Sequence, residues 1–170
     1  MKNLKTISIL CLAFLVLSCS KKEDDGGGDS DPTAEFTATI NGGPYNNFAA
    51  TLGSYFADSA NGLTIAVVDA NSNTIRLFMN STGGFNSGVI KQIGNIDSSG
   101  FQTSALFRDA DTQIIYNSIS GSITISQNNE SNNDPSNRVV TGTFTITANV
   151  NTGTEITMTG TFKNILVSGL

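Results

Sequence analysis

From Phe36 onward, apolar and polar residues alternate with a period of two, the pattern of a strand with one buried and one wetted face. Phe36, Ala38 and Ile40 alternate with threonines until Asn41-Gly42-Gly43-Pro44 turns the chain. Phe48, Ala50 and Leu52 repeat the pattern, followed by a looser connection over residues 53–62 that ends in Asn61-Gly62, a hairpin signal because both residues accept positive φ. Leu63, Ile65 and Val67, then Ile75, Leu77 and Met79, predict two further strands around a turn over 70–73. Ser81 to Gly88 reads as a glycine-rich loop. It lacks the Gly-Lys-Ser/Thr of a phosphate loop and has no helix behind it. A strand or turn spans 89–96, Phe101, Thr103, Ala105 and Phe107 alternate up to Asp109, and Ile114, Tyr116 and Ile119 lead into the last section. No stretch has the helical period.

The last section echoes itself. Ile119-Ser-Gly-Ser-Ile, Val140-Thr-Gly-Thr-Phe and Met158-Thr-Gly-Thr-Phe share one order: apolar, hydroxyl, glycine, hydroxyl, apolar. Gly121, Gly142 and Gly160 lie 21 and 18 residues apart, the spacing of successive long antiparallel strands. Glycine inside a strand marks a bulge, a sharp coil or a close backbone approach, so the three together predict a line of curvature. Residues 128–137, nearly all Asn, Ser, Asp or Glu, read as a polar loop between the first two repeats. The expected fold is all-β: one antiparallel β-sandwich or flattened β-barrel of about ten strands over residues 36–170.

The first 35 residues follow other rules. Lys2 and Lys5 precede an apolar run from Ile7 to Leu17, and small Ser18 stands at a cleavage point, which makes residues 1–18 a secretory signal. The run is shorter than the roughly 20 residues a membrane-spanning helix needs. Residues 19–35 are rich in charge and glycine and nearly free of apolar side chains, so they read as a flexible tether.

Leu15-Val-Leu-Ser-Cys19 resembles the lipobox of bacterial lipoproteins, in which the cysteine thiol receives diacylglycerol before cleavage. The resemblance implies that Cys19 is the lipid anchor and that Ser18 is the last residue removed. Lys21-Lys-Glu-Asp-Asp25 is similar to the acid-rich export signal of Bacteroidota surface lipoproteins, which implies outer-membrane attachment with cell-surface display, the inner leaflet of the outer membrane being the alternative. Thr37-Ala-Thr-Ile-Asn-Gly42, Val140-Thr-Gly-Thr-Phe-Thr-Ile-Thr-Ala148 and Gly160-Thr-Phe-Lys-Asn-Ile165 together resemble a family of Bacteroidota lipoproteins whose domain has no assigned activity. That family has a tryptophan after its opening strand, a place that Tyr45 or Phe48 would fill here. Asp58-Ser-Ala60 resembles the O-glycosylation signal of extracytoplasmic Bacteroidota proteins, which makes Ser59 a candidate modification site.

Composition narrows the chemistry. The only cysteines are Cys11 and Cys19, so the domain has no thiol for a disulfide, a metal or nucleophilic catalysis. There is no histidine, which removes the commonest general base and metal ligand, and no tryptophan for a sugar platform. The net charge of −5 and the lack of a basic cluster argue against nucleic acid as a partner. Asp97, Asp109 and Asp111 lack the spacing of a calcium loop, and Asp69, Asp97, Asp109, Asp111 and Glu130 are scattered in turns rather than paired as glycosidase carboxylates need. No metal, cofactor or catalytic residue is expected. Among the aromatics Tyr45, Phe48, Tyr55, Phe56, Phe85 and Phe101, Phe85 stands out as the candidate ligand-loop residue, because glycines surround it. The expectation is a non-catalytic envelope lipoprotein: either a module binding glycan, peptide or a small apolar ligand through loops 81–88 and 128–137, or a structural or adhesive component contacting envelope proteins.

Overall fold

The computed structural model describes residues 30–45, 47–59, 61–150 and 153–170, and of 51–58 the backbone alone. Ser18 and Cys19 lie outside these residues. Nine strands form: β1 (Glu35–Asn41), β2 (Asn47–Asp58), β3 (Leu63–Asp69), β4 (Thr74–Met79), β5 (Ile90–Gln92), β6 (Ser104–Arg108), β7 (Ile115–Glu130), β8 (Asn137–Asn149) and β9 (Glu155–Ser168). Among the described residues there is no helix. All pairings are antiparallel. The order β7-β6-β4-β3-β2-β1-β9-β8 closes through a β7–β8 ladder into an eight-stranded barrel, and short β5 lies beside β7. The sandwich-or-barrel alternative therefore resolves to a barrel, which removes the open edges that an isolated sheet must protect.

The interior is filled. Phe36, Ile40, Leu63, Ile65, Ile75, Leu77, Phe107, Ile123, Ile146, Met158 and Phe162 are among the buried core residues, drawn from strands all round the wall. The alternation read in β1 holds residue by residue, with Phe36, Ala38 and Ile40 inside and Thr37 and Thr39 outside. The outward positions of β1, β9 and β8 form threonine rows, Thr39 beside Thr159 beside Thr145 and Thr37 beside Thr161 beside Thr143. β-Branched side chains fit this pleated surface.

The echo has a packing reason. In the β8–β9 register Gly142 faces Phe162, Phe144 faces Gly160, and Thr143 faces Thr161. Each Thr-Gly-Thr-Phe unit therefore supplies both the glycine that one ring covers and the ring that covers the other glycine. A Cβ at Gly142 would lie 2.3 Å from Phe162 Cζ, and one at Gly160 would lie 2.6 Å from Phe144 Cζ and 2.3 Å from the Thr37 carbonyl oxygen. Gly121 has a φ of +120° and follows a β7–β8 register shift between Ser118 and Ser120, and Gly142 stands at another, the β8–β9 shift between Val140 and Gly142. The glycines of the echo thus combine strand irregularity, at Gly121 and Gly142, with ring packing, at Gly142 and Gly160.

Several boundaries move. β2 does not loosen after Leu52 but continues to Asp58, absorbing a register shift between Ala50 and Tyr55. β7 runs on to Glu130, so the polar loop shrinks to residues 131–136, held by Ser131 and Asp134 as local hydrogen-bond acceptors. Ile119 is half exposed at a bulge instead of inside. Asp31 and Thr33, which fall within the expected tether, bond to the barrel: the Asp31 carboxylate accepts from Ser131 Oγ and the Asn132 amide, and the Thr33 carbonyl accepts from Asn164 Nδ2.

β4 pairs with β6 only from Thr74 to Phe78, and β5 occupies the rest of that gap beside β7. Buried polar residues close the seam. The Lys91 ammonium, on β5, donates to the carbonyls of Asn80 (2.8 Å) and Thr82 (2.6 Å) and lies 4.4 Å from the centre of the Phe85 ring. Asn80 donates through Nδ2 to the Asn95 and Phe101 carbonyls, and its own amide reaches Thr103 Oγ1.

Candidate functional site

The segment that crosses the seam between β5 and β6 folds into a small arch. Asp97 Oδ1 accepts from the amides of Ser99 and Phe101 (both 2.9 Å), Ile96 bridges to Gln102, and the Thr103 amide donates to the Asn95 carbonyl. Burial raises the Asp97 carboxyl, but the Phe101, Ser99 and Ser81 donors outweigh it and hold the group below the ordinary aspartate range. Together with the grip of Asn80 on the Phe101 carbonyl, this makes the arch a fixed wall.

The wall stands over the outer face of β3, β4, β6 and the start of β7, enclosing an open cleft of about 550 Å³. Outward positions on the strands furnish its floor: Thr64, Arg76, Phe78, Ser104, Leu106 and Asn117. Phe101, 40% exposed, projects from the arch and sits 6.2 Å from Phe78 with the rings inclined at 59°. The two rings make an aromatic corner with amide groups from Asn61, Gln102 and Asn117 around it. No carboxylate lines the cleft among the described residues. The ion pairs found among them, Arg138–Glu130 and Lys163–Glu35, leave Arg76 without an acidic partner. Such a surface can stack a ring, hydrogen-bond hydroxyls and attract negative charge.

A second depression, of about 530 Å³, lies on the threonine-paved outer face of β2, β1, β9 and β8. It contains no charged residue. Thr37 and Thr161 hydroxyls there share a hydrogen bond at 3.2 Å.

Of the aromatics read as candidates whose side chains are described, Phe101 alone reaches the cleft. Phe85 packs against the core and caps Lys91, and its carbonyl accepts from Asn128 Nδ2, so the core does claim it. Loops 81–88 and 131–136 contribute nothing to the cleft lining. Phe48 is buried edge-on to Phe36 (5.9 Å), and Tyr45 packs edge-on to Phe107 (4.8 Å) while donating its hydroxyl to Asp109. The side chains of Tyr55 and Phe56 lie outside the described residues.

The acids do not assemble. Asp109 is buried and spends its oxygens on Tyr45, Thr112 and the Asp111 amide, which hold its carboxyl below the usual range. Asp69 organises its own turn through Asn71 and Asn73, Asp97 holds the arch, and Glu130 faces Arg138. No three potential metal ligands cluster among the described residues. Ser59 is half-buried and donates to the Ser168 carbonyl at 2.7 Å. A sugar on its oxygen would displace that bond.

Sequence reading missed Arg76 and Phe78. Both occupy the polar phase of a strand otherwise recognised by its apolar phase, and an outward Phe78 in that phase was the available signal. No family model, curated protein or solved structure matches this chain.

Proposed function

We propose that this chain is a non-catalytic, lipid-anchored protein of the outer membrane, displayed at the cell surface, whose barrel binds a glycan in the cleft between the arch and the β3–β4–β6 wall. The observation behind this reading is the Phe78–Phe101 corner, bordered by amides and an arginine and without a carboxylate. An exposed Phe101 ring beside a half-buried Phe78, with a few polar groups converging on a concave surface, is the make-up of a ligand site. The lipobox at Cys19 supports the anchor, and the acid-rich run after it supports display.

A glycan array probed with the full chain purified in detergent tests the binding, with Phe101→Ala as control. Binding lost in that variant supports the cleft, and binding unchanged in it rejects the cleft. For the anchor, a fatty-acid analogue fed to cells should label the wild type and spare Cys19→Ser; label on that variant rejects lipidation at Cys19. Protease treatment of intact cells should remove the barrel, and its survival would reject surface display.

A further inference from the structure

We infer that the cleft selects sugars bearing a carboxylate, an inference that rests on the glycan reading above, and that Arg76 is the residue that makes the selection. The argument begins with the neighbours of Arg76. It lies on the exposed face of β4, between Ala66 of β3 and Leu106 of β6. The other outward residues around it are Thr64 and Val68, Thr74 and Phe78, and Ser104 and Arg108. None is an acid, and the second guanidinium, Arg108, points the local charge the same way.

That concentration runs against the whole chain, whose net charge is −5. A nonspecific interaction would therefore favour cations, so preference for an anion must come from this face. A guanidinium matches a carboxylate with two parallel hydrogen bonds, which gives orientation as well as attraction. Beside it, Phe78 and Phe101 offer ring faces for the apolar side of a pyranose, and Asn61, Gln102 and Asn117 offer amides to its hydroxyls. One sugar with a carboxyl on its ring uses all three kinds of group. A neutral sugar leaves the arginine without a partner.

The test uses the full chain in detergent, titrated calorimetrically with uronic-acid oligosaccharides (galacturonate, glucuronate and mannuronate) and with the methyl esters of the same oligosaccharides. Esterification removes the charge and keeps the sugar. At least one free acid should bind about tenfold more tightly than its ester, the factor expected of one charge-assisted hydrogen-bond pair. Arg76→Gln should bring the acid down to the level of the ester, Arg76→Lys should restore part of the difference, and added salt should narrow it. Phe101→Ala should weaken acid and ester alike. Acid and ester binding equally, or Arg76→Gln leaving the preference intact, overturns the inference and spares the glycan-binding cleft. Failure of every acid and ester to bind overturns the inference, and Phe101→Ala without effect on the glycan array overturns the cleft itself. Thermal unfolding of each variant guards against loss of fold; Arg76 is exposed and makes no side-chain hydrogen bond or ion pair among the described residues.

Discussion

Tyr45 gives its phenolic proton to buried Asp109 at 2.6 Å. Burial first, and that carboxylate second, push its ionisation above the ordinary tyrosine range. A phenol that must stay protonated in the native state favours folding below about pH 10, and this contribution is lost as pH rises past that value. Tyr45→Phe should cost about 1–2 kcal/mol at neutral pH, because Asp109 loses a donor while keeping Thr112. The deficit relative to wild type should shrink above pH 10, as urea unfolding at a series of pH values would show. The glycines of the echo make the opposite kind of prediction. Gly160→Ala has nowhere to put a methyl between a backbone oxygen and the Phe144 ring, so it should destabilise by about 1–3 kcal/mol. Gly83→Ala, whose Cβ would meet open space, should cost less despite its φ of +75°. Asp97 supplies the acid limb. Its depressed carboxyl favours the folded arch above the unfolded pKa, about 3.9, and loses that contribution as pH falls through its lower folded value. Amide protection at Ser99 and Phe101, taken relative to the unprotected rate at the same pH, should therefore fall in acid, and Asp97→Asn should abolish that pH dependence.

β5 is where an element depends on one side chain. With three residues it cannot seal the gap left by β6, and Lys91 completes the join by bonding two carbonyls of the chain beyond β4. Lys91→Met keeps the apolar stem but leaves both carbonyls without a donor, at about 1–3 kcal/mol. Exchange should quicken over residues 80–95 with little change in β8 and β9; protection unaltered at the seam would mean that the lysine is dispensable there. This element also shows where sequence reading ends. β1, β3 and β4 were legible because each has an unbroken two-residue rhythm, and β6 was legible from Thr103 to Phe107. β2 beyond Leu52 was not, since a register shift breaks the rhythm, nor was the work of Phe85, whose partner Lys91 is a charged residue. The cleft was illegible as a whole. It needs β4 beside β6 across some twenty-five intervening residues, and its members stand at outward positions that the alternation marks only as not core.

At the scale of the molecule, the strand directions bring the docked Asp31, the end of β2 with the start of β3, the Phe101 arch and the end of β9 to one rim of the barrel. The ends of β1, β3, β6 and β8 mark the other. Opposite sides of the first rim serve two purposes, for Asp31 grips the β7–β8 loop while the arch overhangs β3 and β4. Asp31→Ala removes the acceptor from Ser131 Oγ and the Asn132 amide, so proteolysis should reach further toward Glu35 while the barrel's melting temperature shifts by only a few degrees. The grip at Asp31 also shifts the point at which the barrel takes hold of the chain ahead of it. In the anchored reading proposed above, the path from Cys19 to the barrel would end at that aspartate, four residues short of the first strand, and the arch on the same rim would stand that much nearer to whatever surface holds Cys19.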